Sequence, residues 1–219
     1  MTQNLKNVRD FYQSSGLYNR VIFKNNTSNS KNTIEQLKEK VLNLSKHYNK
    51  SENELVFSDG NIKSKIMIIG DAPGVTDEVE KKPFAGEAGD LLNKMLGAIN
   101  LDRSNVYITN VVSYRLADNK KPESKDVDYF KPLLLEHIQI INPEIILLLG
   151  TVALKTLFEN TLPISKERGI WKHLKLGNKI IPCIPSFHPS FLLRQSQQKK
   201  LSWEDLKKLR DKINQDFSA

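Results

Sequence analysis

Short apolar runs alternate with amphipathic stretches along most of the chain from residue 55 onward. Four of these runs have the length and composition of buried strands, and they cover residues 65–70, 106–112, 144–150 and 179–184. Between them, apolar side chains recur at helical spacing, as in the segment 88–99. Strands that alternate with helices in this way favour a mainly parallel sheet with helices on both faces, and sites then form at the carboxyl ends of the strands.

The N-terminal part of the chain lacks the apolar runs that predict strands. Asn32 is predicted to cap a helix over 33–48, because a glutamate follows three positions later. Further helices are predicted over 126–141, 151–158 and 202–217. We therefore expect a helical and loop extension, residues 1–54, packed on a single globular domain, residues 55–219.

Composition and charge narrow the classes of partner and compartment. The chain carries 33 Lys and Arg residues against 25 Asp and Glu residues, a net charge of +8. This surplus favours a polyanionic partner such as DNA, RNA or an anionic membrane, with a solvated basic surface as the alternative. No apolar run has the length of a membrane span and the N-terminus is polar, so we expect a cytoplasmic protein of bacterial type. Cys183 is the only cysteine, so the chain alone can form neither an intramolecular disulfide nor a cysteine-based zinc or iron–sulfur site.

The first candidate segment, GDAPGVTDEVEKKPFAGEAG at 70–89, follows a predicted strand and precedes a helix. Its glycines let the backbone approach a ligand closely. Asp71, Asp77 and Glu78 lie in this loop with Phe84, whereas a phosphate-binding loop would need lysine and few acids. A carboxylate that acts on water or on a cationic transition state fits better. The alternative is a Pro/Gly turn with solvated charges.

Asn110 is a polar residue inside an apolar strand. Its amide presents one acceptor and two donors, which match a base edge with adjacent carbonyl and N–H groups, as in uracil. The alternative is an asparagine whose side chain is satisfied by backbone at the end of a strand.

The third candidate segment, SFHPSFLLRQ at 186–195, follows the last predicted strand. His188 precedes a proline, which favours extended geometry, and a histidine there can donate a hydrogen bond to a developing anion. Phe191, Leu192 and Leu193 precede Arg194, and apolar wedges next to basic residues are how base-flipping proteins enter a duplex. The same apolar residues are equally consistent with the first turn of a helix in the core.

A basic stretch follows the Asn110 strand. It contains Arg115 and the run 119–123, which includes Lys120. Basic residues in a loop beside the site suit phosphate contacts, which set affinity rather than sequence choice. An ordinary solvated loop is the alternative.

Taken together, these segments resemble the family 4 enzymes of the uracil-DNA glycosylase superfamily. The match spans about residues 55–194, and the combination is specific although each piece alone is weak. It consists of 70–74 with Asp77, 82–86 leading into 88–92, 110–112 followed by Arg115 and 119–122, and 188–190 through 192–194. The resemblance implies an α/β fold of three layers, an α/β/α sandwich around a four-stranded parallel sheet.

The activity that the resemblance implies is that of a monofunctional DNA glycosylase. Such an enzyme flips uracil out of DNA, hydrolyses its N-glycosidic bond with water and leaves an abasic site for base excision repair. The resemblance assigns Asp77 to positioning or activating the water, and His188 to stabilising the departing uracil anion. Uracil-containing DNA is then the partner, with no membrane, no metal, and a monomeric enzyme.

The resemblance also assigns residues to binding. Phe84 would stack on the flipped uracil, Asn110 would read its Watson–Crick edge, and Asp71 and Ala72 would line the pocket. The residues expected to contact DNA are Arg115, Lys120, Ser190, Phe191, Leu192 and Arg194.

One departure from the family concerns its four-cysteine iron–sulfur cluster. The corresponding positions fall near Asn43 and Lys46 and at Tyr114 and Phe130, none of which is a cysteine. We therefore expect no cofactor, and we expect Tyr114 and Phe130 to replace the cluster by packing with the helix at 33–48.

Three alternative functions stay open at this point. The first is a glycosylase of broader scope that takes deaminated purines such as hypoxanthine or xanthine. The second is a catalytically silent DNA-binding homologue, against which the presence of Asp77, Asn110 and His188 argues. The third is a nucleotide-binding α/β protein of another class, which the acidic first loop disfavours.

Overall fold

The computed structural model describes residues 33–217, and a single twisted sheet lies at its centre. Within these residues the sheet has six strands: β1 (Ser58–Gly60), β2 (Ile66–Gly70), β3 (Tyr107–Asn110), β4 (Ile145–Leu149), β5 (Lys172–Leu176) and β6 (Lys179–Ser186). Their order across the sheet is β1-β3-β2-β4-β6-β5. The inner four strands, β3, β2, β4 and β6, are mutually parallel, and the edge strands β1 and β5 run antiparallel to their neighbours.

The α/β prediction is confirmed, but the prediction of a four-stranded parallel sheet is not matched. The four strands expected from apolar runs are the four parallel ones, and two antiparallel edge strands complete a mixed sheet. β1 has the sequence SDG and β5 has the sequence KHLKL. Neither is a continuous apolar run, because an edge strand needs no apolar side chains on both faces.

Helices cover both faces of the sheet. They are α1 (Ile34–Leu42), α2 (Val75–Glu80), α3 (Glu87–Gly97), α4 (Ser124–Ile141), α5 (Thr151–Leu157), α6 (Ile164–Glu167), α7 (Pro189–Arg194) and α8 (Lys199–Phe217). One face packs on α1, α4 and α5, and the other packs on α3, α7 and α8. Because side chains alternate along a strand, Met67 and Ile69 enter the first core whereas Ile66 and Ile68 enter the second. Between residues 33 and 217, no helix is long and apolar enough to cross a membrane.

Two predicted helix starts are wrong. Thr33 caps α1 with Gln36, and Asn32 lies outside the described residues. The C-terminal helix begins at Lys199, so Ser202 and Asp205 lie inside it and are buried rather than forming its cap. Asp205 instead accepts a hydrogen bond of 2.7 Å from the Ser186 hydroxyl, which fastens this helix to the end of β6.

An aromatic cluster, formed by Tyr48, Tyr114 and Phe130, joins the N-terminal segment to the domain. Tyr114 and Phe130 are 0% and 1% exposed. The ring centroid of Tyr48 lies 6.2 Å from that of Tyr114 and 5.6 Å from that of Phe130. The cluster therefore packs residues 33–54 against α4 and the loop after β3, while a domain boundary at residue 55 stays a prediction.

Candidate active site

A cleft of about 540 Å³ opens at the carboxyl ends of the parallel strands. The segments that follow all four parallel strands meet there, because parallel neighbours bring these ends to one edge of the sheet. Most of the predicted site residues line the cleft: Asp71, Ala72, Asp77, Phe84, Asn110, Lys120, His188, Ser190, Phe191 and Arg194. Arg115 and Leu192 do not.

Asn110 lies at the bottom of the cleft as the last residue of β3. It is 3% exposed, and neither its Oδ1 nor its Nδ2 has a hydrogen-bond partner among the described residues. Gly70 pairs with it across the sheet, and a Cβ on Gly70 would lie 2.3 Å from Asn110 Oδ1. The glycine therefore leaves room for a buried amide that is free to pair with a ligand edge.

Phe84 covers this amide with an aromatic ring. The ring reaches Gly70, where a Cβ would approach the Phe84 Cζ to 2.5 Å. It also stacks against His188, with centroids 5.3 Å apart and planes at 27°. Phe84 has a φ of 56°, a left-handed conformation that is rare for a bulky residue. The backbone is thus held in an unusual state that places an apolar plane beside the Asn110 amide.

Asp71 follows β2 directly and brings a carboxylate into the cleft. Its Oδ1 accepts hydrogen bonds from the amides of Val152 and Ala153, at 3.1 and 3.0 Å, in the first turn of α5. Burial raises the pKa of Asp71 to about 6, although these amides and the charge of Lys121 act in the opposite direction. Its Oδ2 accepts no hydrogen bond from residues 33–217, so it is available to a water or ligand in the cleft.

Asp77 also lines the cleft, but both of its oxygens are engaged. Oδ2 accepts from the Gly74 amide at 2.9 Å, and Oδ1 accepts from the Ala85 amide at 2.7 Å. The carboxylate therefore ties the start of α2 to the loop that carries Phe84. Each oxygen has a second lone pair, so these bonds leave Asp77 able to accept from a water as well.

His188 is held in one tautomer by Ser190. The Ser190 amide donates to His188 Nδ1 at 3.2 Å, and the Ser190 hydroxyl lies 2.8 Å from the same atom. Burial, together with the charges of Lys121 and Arg194, lowers the pKa of His188 to about 4. At neutral pH the ring is therefore uncharged, and because Nδ1 accepts, its proton is on Nε2. The site thus holds a neutral N–H donor beside the aromatic plane.

Two of the predicted DNA contacts lie elsewhere. Arg115 Nε donates to Glu78 Oε2 at 2.7 Å, and Lys50 reaches the other oxygen of Glu78 at 2.6 Å. Arg115 therefore belongs to an ion-pair cluster beside the cleft. Leu192 is 1% exposed and packs in the core, whereas its neighbour Leu193 is 41% exposed.

Two residues of this site, Lys121 and Leu193, were not among the side chains predicted to contact DNA. Lys121 lines the cleft, and its charge reaches both Asp71 and His188, as their pKa values show. It belongs to the basic run that the sequence analysis noted, but Lys120 was the lysine assigned to DNA. Leu193 is the exposed apolar side chain on α7, and no feature of the sequence distinguished it from Leu192.

The comparisons with known proteins agree with this arrangement. The family model of the uracil DNA glycosylase superfamily matches residues 57–217. A type-4 uracil-DNA glycosylase of Sulfurisphaera tokodaii is 36% identical over 188 residues, which is 82% of this chain and 84% of the relative. Enzymes of the same name from Thermotoga maritima and Saccharolobus solfataricus are each 34% identical, over 78% and 75% of this chain and 88% and 79% of their own lengths. The chain belongs to the uracil DNA glycosylase superfamily.

Proposed function

We propose that this chain is a monofunctional DNA glycosylase that removes uracil from DNA by hydrolysing its N-glycosidic bond. The observation that carries the proposal is the buried Asn110 amide, which lacks a partner among the described residues and lines the same cleft as the stacked rings of Phe84 and His188. The names of the related enzymes support the same substrate. The product is an abasic site, the substrate of later steps in base excision repair.

Base recognition follows from the geometry at Asn110. Its Nδ2 donates to the uracil O4 and its Oδ1 accepts from N3–H, so the base edge satisfies both orphaned atoms. A buried polar group without a partner costs about 1–3 kcal/mol, and a correct base recovers that cost on binding. Phe84 supplies the stacking surface for the flipped ring.

His188 assists departure of the base. Cleavage breaks the bond between uracil N1 and the sugar C1′, and the electron pair moves onto the uracil ring. The Nε2–H of His188 donates to the uracil O2 as this negative charge develops. Because the imidazole is already neutral and fixed by Ser190, it is a preorganised donor, worth about 3 kcal/mol in the transition state.

A carboxylate must face the sugar, where positive charge develops and where water attacks C1′. Asp77 was assigned this task by resemblance, and that assignment stays a prediction. Asp71 is the better-placed base, because one of its oxygens is open and burial raises its pKa to about 6, which still leaves it ionised at neutral pH. We therefore propose that Asp71 accepts the proton of the attacking water and that Asp77 orders the loop around it.

Lysine and arginine side chains around the cleft provide the phosphate contacts. Lys120, Lys121 and Arg194 line the opening, and the whole chain carries a net charge of +8. Phe191 lies in the cleft, Leu193 is exposed and Leu192 is buried, so of the three apolar residues predicted as a wedge we assign the role to Leu193. The proposed reaction needs no group from a second chain, so a monomer would suffice.

We propose further that the protein holds no iron–sulfur cluster. Such a cluster is held by several cysteine thiolates, and this chain has one cysteine. That cysteine lies in β6, where burial raises the pKa of its thiol to about 12. Within residues 33–217, no group of three or more His, Cys, Asp and Glu side chains is placed to hold a metal ion. Two of the family's cluster positions, Tyr114 and Phe130, are occupied by the aromatic cluster, which can supply the packing instead.

Single-turnover cleavage of a U·G oligonucleotide tests the function. The wild-type protein should cleave it with EDTA present, and Asn110→Ala and His188→Ala should each lose at least about a hundredfold in rate. Asn53→Ala, at an exposed position, is the matched control for loss of an asparagine amide. Comparing Asp71→Asn with Asp77→Asn identifies the general base. The variant that lacks the base should lose activity while the loop that carries Phe84 stays ordered.

Parallel substrates separate the rival functions. Faster cleavage of hypoxanthine than of uracil would favour a glycosylase of broader scope. Binding of the U·G duplex without any cleavage would favour the silent DNA-binding homologue and would refute the proposal.

A further inference from the structure

Arg103 lies outside the cleft, in the turn between α3 and β3, yet its guanidinium contacts the loop that carries Phe84. Nη2 donates to the Phe84 carbonyl, and Nη1 donates to the Pro83 carbonyl at 3.1 Å. Nη1 also pairs with Asp59 Oδ2 at 2.5 Å, and Nε donates to Asn93 Oδ1 at 2.9 Å. One side chain thus links β1, α3 and the two residues that lead into the aromatic surface of the cleft.

The peptide bond between Phe84 and Ala85 is held from both ends. Its carbonyl accepts from Arg103, and its N–H donates to Asp77 Oδ1 at 2.7 Å. The carbonyl also lies against α3, since a Cβ on Gly89 would come within 1.6 Å of the Phe84 oxygen. Because Arg103 Nη1 also holds the Pro83 carbonyl, both peptide planes that flank the Phe84 Cα are fixed, and with them its left-handed φ of 56°.

That conformation is unfavourable for phenylalanine and persists only where the surroundings enforce it. Arg103 is the donor that holds the carbonyl side, because Asp77 acts only on the N–H side. Without the guanidinium, the carbonyls of Pro83 and Phe84 lose this donor, and only the Asp77 bond and the packing against α3 still oppose rotation toward an ordinary backbone conformation. Rotation would carry the ring away from Gly70 and His188, which it now contacts.

We propose that Arg103 is a positioning residue for base recognition, which locks Phe84 in the conformation that stacks on the flipped uracil. The proposal rests on the proposed function, because it assigns Arg103 a task in the same site. The competing explanation is an ordinary structural ion pair between Arg103 and Asp59, which are 26% and 21% exposed. The two explanations differ in what the loss of each partner should do.

The test compares Arg103→Met with Asp59→Asn and with Arg210→Met, a surface control whose arginine pairs only with Asp211. At saturating enzyme, Arg103→Met should cleave a uracil-containing oligonucleotide at least about tenfold more slowly than wild type. Its Kd for the same DNA without uracil should change less than about twofold, because phosphate contacts from the cleft opening are intact. Asp59→Asn keeps both carbonyl contacts and should retain the wild-type rate within about twofold.

A double-mutant cycle with Phe84→Leu identifies the route of the effect. If Arg103 acts through Phe84, Arg103→Met should cost little more in the Phe84→Leu background, less than about threefold. Fully additive losses would overturn the proposal, as would equal losses in Arg103→Met and Asp59→Asn. Should Arg103→Met fail to fold, Arg103→Lys replaces it, because a lysine keeps the charge but lacks the planar fork of two nitrogens that spans the two carbonyls, and a wild-type rate in that variant would overturn the proposal.

The outcomes also separate this proposal from the proposed function. If the wild-type protein cleaves uracil DNA and Arg103→Met cleaves it equally fast, only the positioning role fails. If the wild-type protein cleaves no uracil from DNA, the proposed function itself fails.

Discussion

Asp71 is expected to cost the folded protein stability whenever its carboxylate is ionised. Burial raises its pKa from 3.8 to about 6. Between those two pH values the folded protein binds more protons than the unfolded chain, so stability falls as pH rises through this window. Each pH unit corresponds to about 1.4 kcal/mol, which gives a penalty of about 3 kcal/mol that is fully present above pH 6.

Asp71→Asn should remove most of this penalty. The asparagine Oδ1 can still accept from the Val152 and Ala153 amides, while the buried charge is gone. At pH 8 the variant should be more stable than wild type by about 1–3 kcal/mol, the lower values reflecting the cost of burying the new amide. For a chain of this size, each kcal/mol corresponds to about 2–4 °C in Tm. At pH 4, where Asp71 is protonated in the folded protein, the two proteins should be almost equally stable.

Urea denaturation at pH 4, 6 and 8 measures this difference directly. Asp211→Asn is the control, because that aspartate is 59% exposed and its loss should change stability little at any pH. The same Asp71→Asn protein should be inactive, and the wild-type rate should rise with pH around 6 while His188 stays neutral above about pH 4. A stability difference that is the same at pH 4 and pH 8 would refute the reasoning, because the effect would then not come from the buried charge.

Four further outcomes are expected. Ser190→Ala removes the hydroxyl beside His188 Nδ1 but keeps the backbone donor, so the single-turnover rate should fall only about threefold to tenfold, against a hundredfold or more for His188→Ala. Leu192→Ala should lower the unfolding free energy in urea by about 2–5 kcal/mol, because this side chain is buried in the core. Leu193→Ala should change stability by less than about 0.5 kcal/mol and should slow cleavage of double-stranded DNA more than of single-stranded DNA, since only the duplex must be opened by a wedge. Treatment with EDTA should leave the Tm and the cleavage rate unchanged, and a fall in either would contradict an architecture without a metal cluster.

The parallel core of the fold could be predicted because burial on both faces demands apolar residues along the whole strand. β4, with the sequence IILLL, is a clear case. The edge strands β1 and β5 could not be predicted from the sequence, since their pairing is decided by the neighbouring strand rather than by their own residues. The start of the C-terminal helix was predicted wrongly for a related reason. Ser202 and Asp205 have the pattern of a cap, but tertiary hydrogen bonds to β6 place them inside the helix.

The site was predictable to the extent that strand ends determine it. Asp71, Asn110 and His188 each follow a strand of the parallel sheet, so the topology alone brings them to one edge. Arg115 and Leu192 do not line the cleft because of contacts that no local pattern encodes, and their contacts with DNA stay predictions. Arg115 pairs with Glu78, which is 37 positions away, and the six-residue helix α7 is too short for its sequence to fix which leucine faces the core.

Three unfavourable features of this fold lie together at the cleft. Asn110 is an unsatisfied amide, Phe84 has a left-handed backbone, and Asp71 is a buried carboxylate, each of which would relax if its segment could move. Asn110 and Asp71 cannot move, because one ends and the other directly follows a strand that is buried along its whole length and paired on both sides. Phe84 belongs to a loop, so it needs the added contacts of Arg103 and Asp77. The rigid sheet therefore holds the Asn110 amide and the Asp71 carboxylate in place. The Phe84 stacking surface instead depends on side chains that contact its loop from elsewhere in the fold. It is therefore the part of the site that is most sensitive to distant mutations.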